Sequence, residues 1–129
     1  MKGKKKSYYQ YKGSVGLDHH TFHYLAWKAR RYPFLLENIK RIEAKNPLNI
    51  TEKDMVNKAA MEKEVALFEE ALIKYVPENY RAPVKEHCLF GKMYEELENK
   101  YFFSESSIRR AAQTYIWGVA QELGEDYKN

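Results

Sequence analysis

The chain carries a single cysteine, Cys88, in 129 residues. An internal disulfide framework is therefore excluded, and such usage fits a reducing compartment, so a cytoplasmic location is the expectation. Glycine and proline are scarce, at 6 and 4 residues, which excludes collagen-like and low-complexity chains. No apolar run approaches the ~20 residues that a membrane-spanning helix needs, so no membrane partner is expected. The basic start Met1–Lys6 leads into the polar stretch Tyr8–Ser14 rather than an apolar core, and no secretion signal is read there. Alternating β-branched runs are also missing, which argues against strands. A glycine-rich phosphate loop, a serine nucleophile elbow and a convergent carboxylate pair are all absent, so no enzyme is expected.

What the chain does have is apolar and aromatic mass. Hydrophobic residues make up 44%, with eleven Tyr, six Phe and two Trp. A chain this apolar can bury the core of one compact domain and does not have the signature of wholesale disorder. The net charge of +4 is unevenly placed. Residues 1–14 hold Lys2, Lys4, Lys5, Lys6 and Lys12 and no acid, whereas residues 77–129 carry a small acidic excess. Residues 1–17 read as a flexible basic arm able to attract phosphate without reading sequence, or simply to solubilise the chain. The Tyr8-Tyr9-Gln10-Tyr11 cluster within it could stack on bases.

Residues 18–76 read as a helical segment followed by a helical hairpin, and 77–129 as a separate helical lobe. Asp18 is placed to cap a first helix carrying Phe22, Leu25, Ala26 and Ala29 on one face. Pro33 ends that helix and serves as the first position of a second, whose stripe is Leu35, Leu36, Ile39 and Ile42. Asn46-Pro47 marks a turn. Thr51-Glu52-Lys53-Asp54 has a helix-start pattern. Met61, Val65, Phe68, Leu72 and Tyr75 then recur at spacings of four, three, four and three, a seam that packs on another helix. A side of the hairpin left uncovered offers a route to a homo-oligomer. Arg81-Ala82-Pro83 starts a further helix, with Pro83 in its first turn and Val84 and Cys88 facing inward, Cys88 as a small core residue rather than a reactive thiol.

Tyr94, Leu97 and Tyr101 form one helix face, Phe103 buries a turn, and Ser104 is a good N-cap for the helix that follows. Ile108, Ala111, Ala112, Tyr115, Ile116, Val119 and Leu123 supply that helix with an inward face, and Gly124 is its stop. Glu105, Ser106, Arg109, Arg110 and Gln113 are left on the outer face. In a helix-turn-helix this end meets base edges in the major groove. There Arg can bond guanine, Gln adenine and Glu105 cytosine N4. Ser106 and Ser107 are short enough to reach phosphate, and Lys92 and Lys100 flank the motif as further phosphate contacts.

The run Leu97–Arg110 resembles the "L-A-E-K-L-G-I-S-E-S-T-V-R-R" helix-turn-helix of sigma-factor region 4. More of the chain resembles the RinA- and ArpU-type regulators of phages. The likeness rests on the Tyr-Pro element in Ala29–Pro33, the "P-E-x-Y-R" element in Pro77–Arg81, the "S-E-S-T-[IV]" run at Ser104–Ile108 and the alanine-bearing helix ending at Gly124. It spans most of residues 25–124. It implies an all-α DNA-binding activator of phage or mobile-element transcription. Its expected partners are double-stranded DNA and RNA polymerase, the latter recruited through another surface. Two positions depart from the pattern: Glu98 stands where a small residue is usual, and Phe102 where glycine is usual. Two rival readings share these features. One is a small-terminase-like DNA-packaging adaptor, which predicts a ring of subunits. The other is a module that binds a sigma factor or polymerase without touching DNA.

Asp18-His19-His20-Thr21-Phe22-His23 is the one metal-like cluster. His19 and His23 lie four apart, as zinc ligands do, but no second ligand pair exists. Histidines packed near a helix start are the expectation, and no metal or other cofactor is expected.

Overall fold

The computed structural model describes residues 17–124, and the described residues are all-α. Most of the basic arm read above therefore lies outside the described residues. Six α-helices follow in order: α1 His19–Ala29, α2 Tyr32–Glu43, α3 Glu52–Tyr75, α4 Arg81–Cys88, α5 Tyr94–Tyr101 and α6 Glu105–Leu123. Single 3₁₀ turns, Pro47–Asn49 and Glu78–Tyr80, precede α3 and α4. No described helix is long and apolar enough to cross a membrane.

Local chemistry explains the helix boundaries. The Asp18 carboxylate accepts from the Thr21 backbone N–H at 2.8 Å and from its hydroxyl at 2.9 Å. These bonds hold the Asp18 carboxyl below its usual range. Pro33 falls in the first turn of α2, one residue inside a helix that begins at Tyr32, where its missing N–H costs nothing. Asn46 accepts from the Leu48 backbone N–H at 2.9 Å. Thr51 and Asp54 form a reciprocal capping box, with bonds of 3.0 and 3.1 Å. Lys45 reaches across the α2–α3 connection to the same Asp54 at 2.8 Å. Arg81 closes the other end of α3, donating to the carbonyls of Val76 and Ile73 at 2.9 Å each.

The expected seam of α3 is buried at Val65, Phe68 and Leu72, with Met61 and Tyr75 partly covered. Its first partner is α2, as the short connection dictates, and its carboxy-terminal half also packs on α6. Helix α6 is the centre of the molecule, touching α1, α3, α4 and α5. One apolar cluster runs through Leu25, Leu35, Phe68, Val84, Tyr115 and Val119, so hairpin and carboxy-terminal lobe share a core. Each such side chain contributes about 1.5–3 kcal/mol on burial. Tyr115 lies within it and donates its hydroxyl to the Phe68 carbonyl at 2.9 Å, which satisfies a polar atom that burial would otherwise penalise.

Gly118 sets the approach of α3 to α6. A Cβ there would lie 2.4 Å from the Tyr75 ring, inside any van der Waals contact. The Tyr75 hydroxyl then donates to Glu122 at 2.7 Å, beside a Lys74–Glu122 ion pair of 2.9 Å. Cys88 lies in the core, and burial pushes its thiol up to about 12, the behaviour of a packing residue.

Candidate nucleic-acid interface

Helices α5 and α6 are joined by three residues, Phe102, Phe103 and Ser104. Phe102 turns the chain with φ 62° and ψ 31°, and it is the one non-glycine residue with positive φ among the described residues. The turn is thus the short left-handed one that glycine normally serves, with phenylalanine in its place. Phe103 stacks on Tyr80 at 4.4 Å, while Leu97 and Ile108 bury the angle between the two helices.

The amino-terminal end of α6 is capped twice. Ser104 accepts from the Ser107 backbone N–H at 3.2 Å. Glu98, the other departure from the family pattern, accepts from the Glu105 backbone N–H at 3.1 Å. A carboxylate reaching from α5 thereby takes up a free donor at the positive end of α6. A small residue at 98 would permit closer helix contact; glutamate exchanges that for a cap.

The residues proposed from sequence divide into four groups. Ser106 and Arg109 are exposed and Arg110 is half-buried at the start of α6. The Arg110 side chain has no ion pair or hydrogen bond among the described residues. Arg109 is held by an ion pair with Glu105 and by the face of Tyr94, 4.5 Å from the ring centroid. The Ser107 hydroxyl receives a bond from Ser104 at 2.9 Å and belongs to the cap.

The flanking lysines are both engaged. Lys92 lies 3.8 Å from Glu96, and Lys100 donates to Glu86 at 3.0 Å. Burial opposes ionisation of Glu86, but bonds from Tyr101 and Lys100 outweigh it and hold the carboxyl below its usual range. Phosphate contact by Lys92, Lys100 or Arg109 thus requires exchange of an existing carboxylate partner.

Gln113 is half-buried. Helical spacing puts it on the outer face, yet its amide oxygen is buried and has no hydrogen-bond partner. Helix α1 is the reason: Phe22 and Ala26 pack beside Ala112 and Ile116, and Gln113 lines an open-mouthed cavity under α1. The sequence reading also missed Arg30, His87 and Tyr94, which the fold brings to the same place. Arg30 follows the end of α1, so its approach depends on how α1 docks, and no local pattern announces it.

His19, His20 and His23 are exposed, with His19 and His23 ring centroids 4.3 Å apart. No three His, Cys, Asp or Glu side chains converge as metal ligands among the described residues. Compared with protein-family models, curated proteins and solved structures, the chain shows no match.

Proposed function

We propose that the chain is a sequence-specific DNA-binding regulator of transcription, an activator of the phage or mobile-element kind, that docks the amino-terminal end of α6 in the major groove. The observation that supports this best is the three-residue left-handed turn between α5 and α6. It leaves Ser106, Arg109 and Arg110 accessible at a doubly capped helix end. Ser106 is short enough for backbone approach, and the two arginines supply the groups that bond guanine. Gln113 no longer belongs to this set, so the reading face is one turn shorter than the sequence suggests. The experiment is a genomic DNA pull-down with sequencing. Enrichment of one short motif supports the reading, and uniform or absent recovery of DNA defeats it.

The regulator acts as a dimer in this account. The outer face of α3 exposes Met55 and Val56, each at 63%, beside exposed Ala59 and Ala60. Antiparallel pairing of two α3 helices about an axis between residues 57 and 58 sets Met55 opposite Ala60 and Val56 opposite Ala59. It also sets Glu52 opposite Lys63 and Lys53 opposite Glu62 across the two copies, so the charges match. A native mass of two chains agrees with this; a ring of many chains favours the packaging adaptor.

One observation favours the protein-binding reading. Phe102 is 90% exposed and Met93 72%, and an exposed aromatic kept in a strained turn is the kind of feature that a protein partner would use. Its test is whether Phe102→Ala spares DNA affinity while abolishing polymerase or sigma-factor capture.

A further inference from the structure

Beneath α1, between α4, the start of α5 and α6, lies an open-mouthed cavity of about 160 Å³. Its floor is apolar, formed by Phe22, Ala26, Ala112 and Ile116. A cavity of about 150 Å³ holds a benzene ring, so the space fits a single six-membered ring. The polar groups around it are unusual in what they leave unused. Gln113 buries its amide oxygen without a donor. The Arg30 guanidinium has no ion pair or hydrogen bond among the described residues, and it rests against Gly91, where a Cβ would lie 2.2 Å from its Nη2. Gly91 has φ 75° as well, so both backbone and space reserve that position for glycine. Arg109 faces the same cavity from α6. His87 lies within the field of both arginines, and its Nδ1 donates to the Lys92 carbonyl at 2.8 Å. That bond leaves Nε2 as an acceptor when the ring is neutral.

We propose that this cavity binds a small organic carboxylate with a ring-sized apolar body. The ring lies on Phe22, Ala26 and Ile116, and the carboxylate pairs with Arg30 at the mouth. The Arg30 guanidinium, without a carboxylate partner among the described residues, selects against a cation, and the apolar floor selects against free phosphate, which has no surface to place there. A DNA phosphate meets the same objection. The proposal does not depend on DNA binding by α6.

The test is isothermal titration of the full chain with benzoate and benzyl alcohol. Benzoate is expected to saturate one site per chain with a Kd of about 1 mM or tighter. Benzyl alcohol should bind at least about tenfold more weakly, since a charge-assisted pair is lost. Arg30→Gln, an exposed change that leaves the fold intact by circular dichroism, should weaken benzoate about tenfold or more. Absence of saturable benzoate binding up to about 10 mM overturns the proposal. So does binding that Arg30→Gln leaves unchanged, which would mean an adventitious additive only.

Discussion

Replacing Phe102 by glycine should stabilise this protein, although it deletes a whole aromatic ring. The backbone at 102 sits at φ 62° and ψ 31°, where a Cβ costs about 1–2 kcal/mol. Glycine removes that cost. The side chain is 90% exposed, so almost no burial energy is lost with it. Against the gain stands the larger conformational freedom of glycine in the unfolded chain, about 0.4–1 kcal/mol. The net expectation for Phe102→Gly is a stabilisation of about 0.5–1 kcal/mol, or a rise in Tm of roughly 2–5 °C for a chain this size. Phe102→Ala keeps the Cβ and the strain, so it should stay within about 0.5 kcal/mol of the parent. Urea titration and thermal melts of the three proteins measure this directly. The reasoning is refuted if glycine destabilises, or if alanine and glycine behave alike. The first outcome would mean that the ring packs on something, and the second that the turn carries no strain.

Three other expectations concern stability. Glu98→Ala removes the carboxylate that caps α6 and should cost about 1 kcal/mol in urea unfolding, while Glu98→Gln, which keeps an acceptor, should cost less. Gly118→Ala should destabilise by about 1–3 kcal/mol because its new methyl meets the Tyr75 ring. In a Tyr75→Ala background the same change should be neutral or stabilising, and a double-mutant cycle reads the difference. His87 titrates below its ordinary 6.5 because burial disfavours the imidazolium, with Arg30 and Arg109 adding to the effect. A depressed basic group is protonated first in the unfolded chain, so its contribution to stability is complete above about pH 6.5 and falls as the pH drops from there toward the folded value. Unfolding free energies of parent and His87→Asn, measured at pH 7.5 and 5.5, should show a smaller acid loss in the variant.

Features written in a few neighbouring residues were legible from the chain alone. Asp18, Thr51 and Ser104 cap the helices that their spacing marks, and Gly124 ends α6. The Val65–Leu72 seam needs only helical periodicity, and it is buried where that period puts it. What escaped depends on contacts far apart in sequence. Gln113 looks solvent-facing until α1 is laid over it. Gly118 looks like a helix-weakening residue until Tyr75 is seated against it. Lys100 looks like a free cation until Glu86, fourteen residues earlier, takes it. Glu98 was visible as a departure from a pattern, but its purpose as a cap required the turn geometry. Of the eight residues first drawn toward DNA, Ser106 and Arg109 are exposed and Arg110 half-buried at the start of α6, and Arg109, Lys92 and Lys100 are each paired to a carboxylate.

The function proposed for that helix end stands or falls on a double substitution. Once a DNA motif has been recovered by pull-down, Arg109→Ala/Arg110→Ala should be titrated against it and against scrambled DNA at fixed salt. Loss of one arginine–base contact costs about 1–3 kcal/mol. The double variant should therefore bind the motif at least about tenfold more weakly, with its helical content and melting transition intact. Affinity for scrambled DNA should fall far less, so that preference for the motif collapses. A folded double variant that retains full affinity and full preference for the motif would contradict the account and place the DNA-reading surface, if any, elsewhere on the molecule.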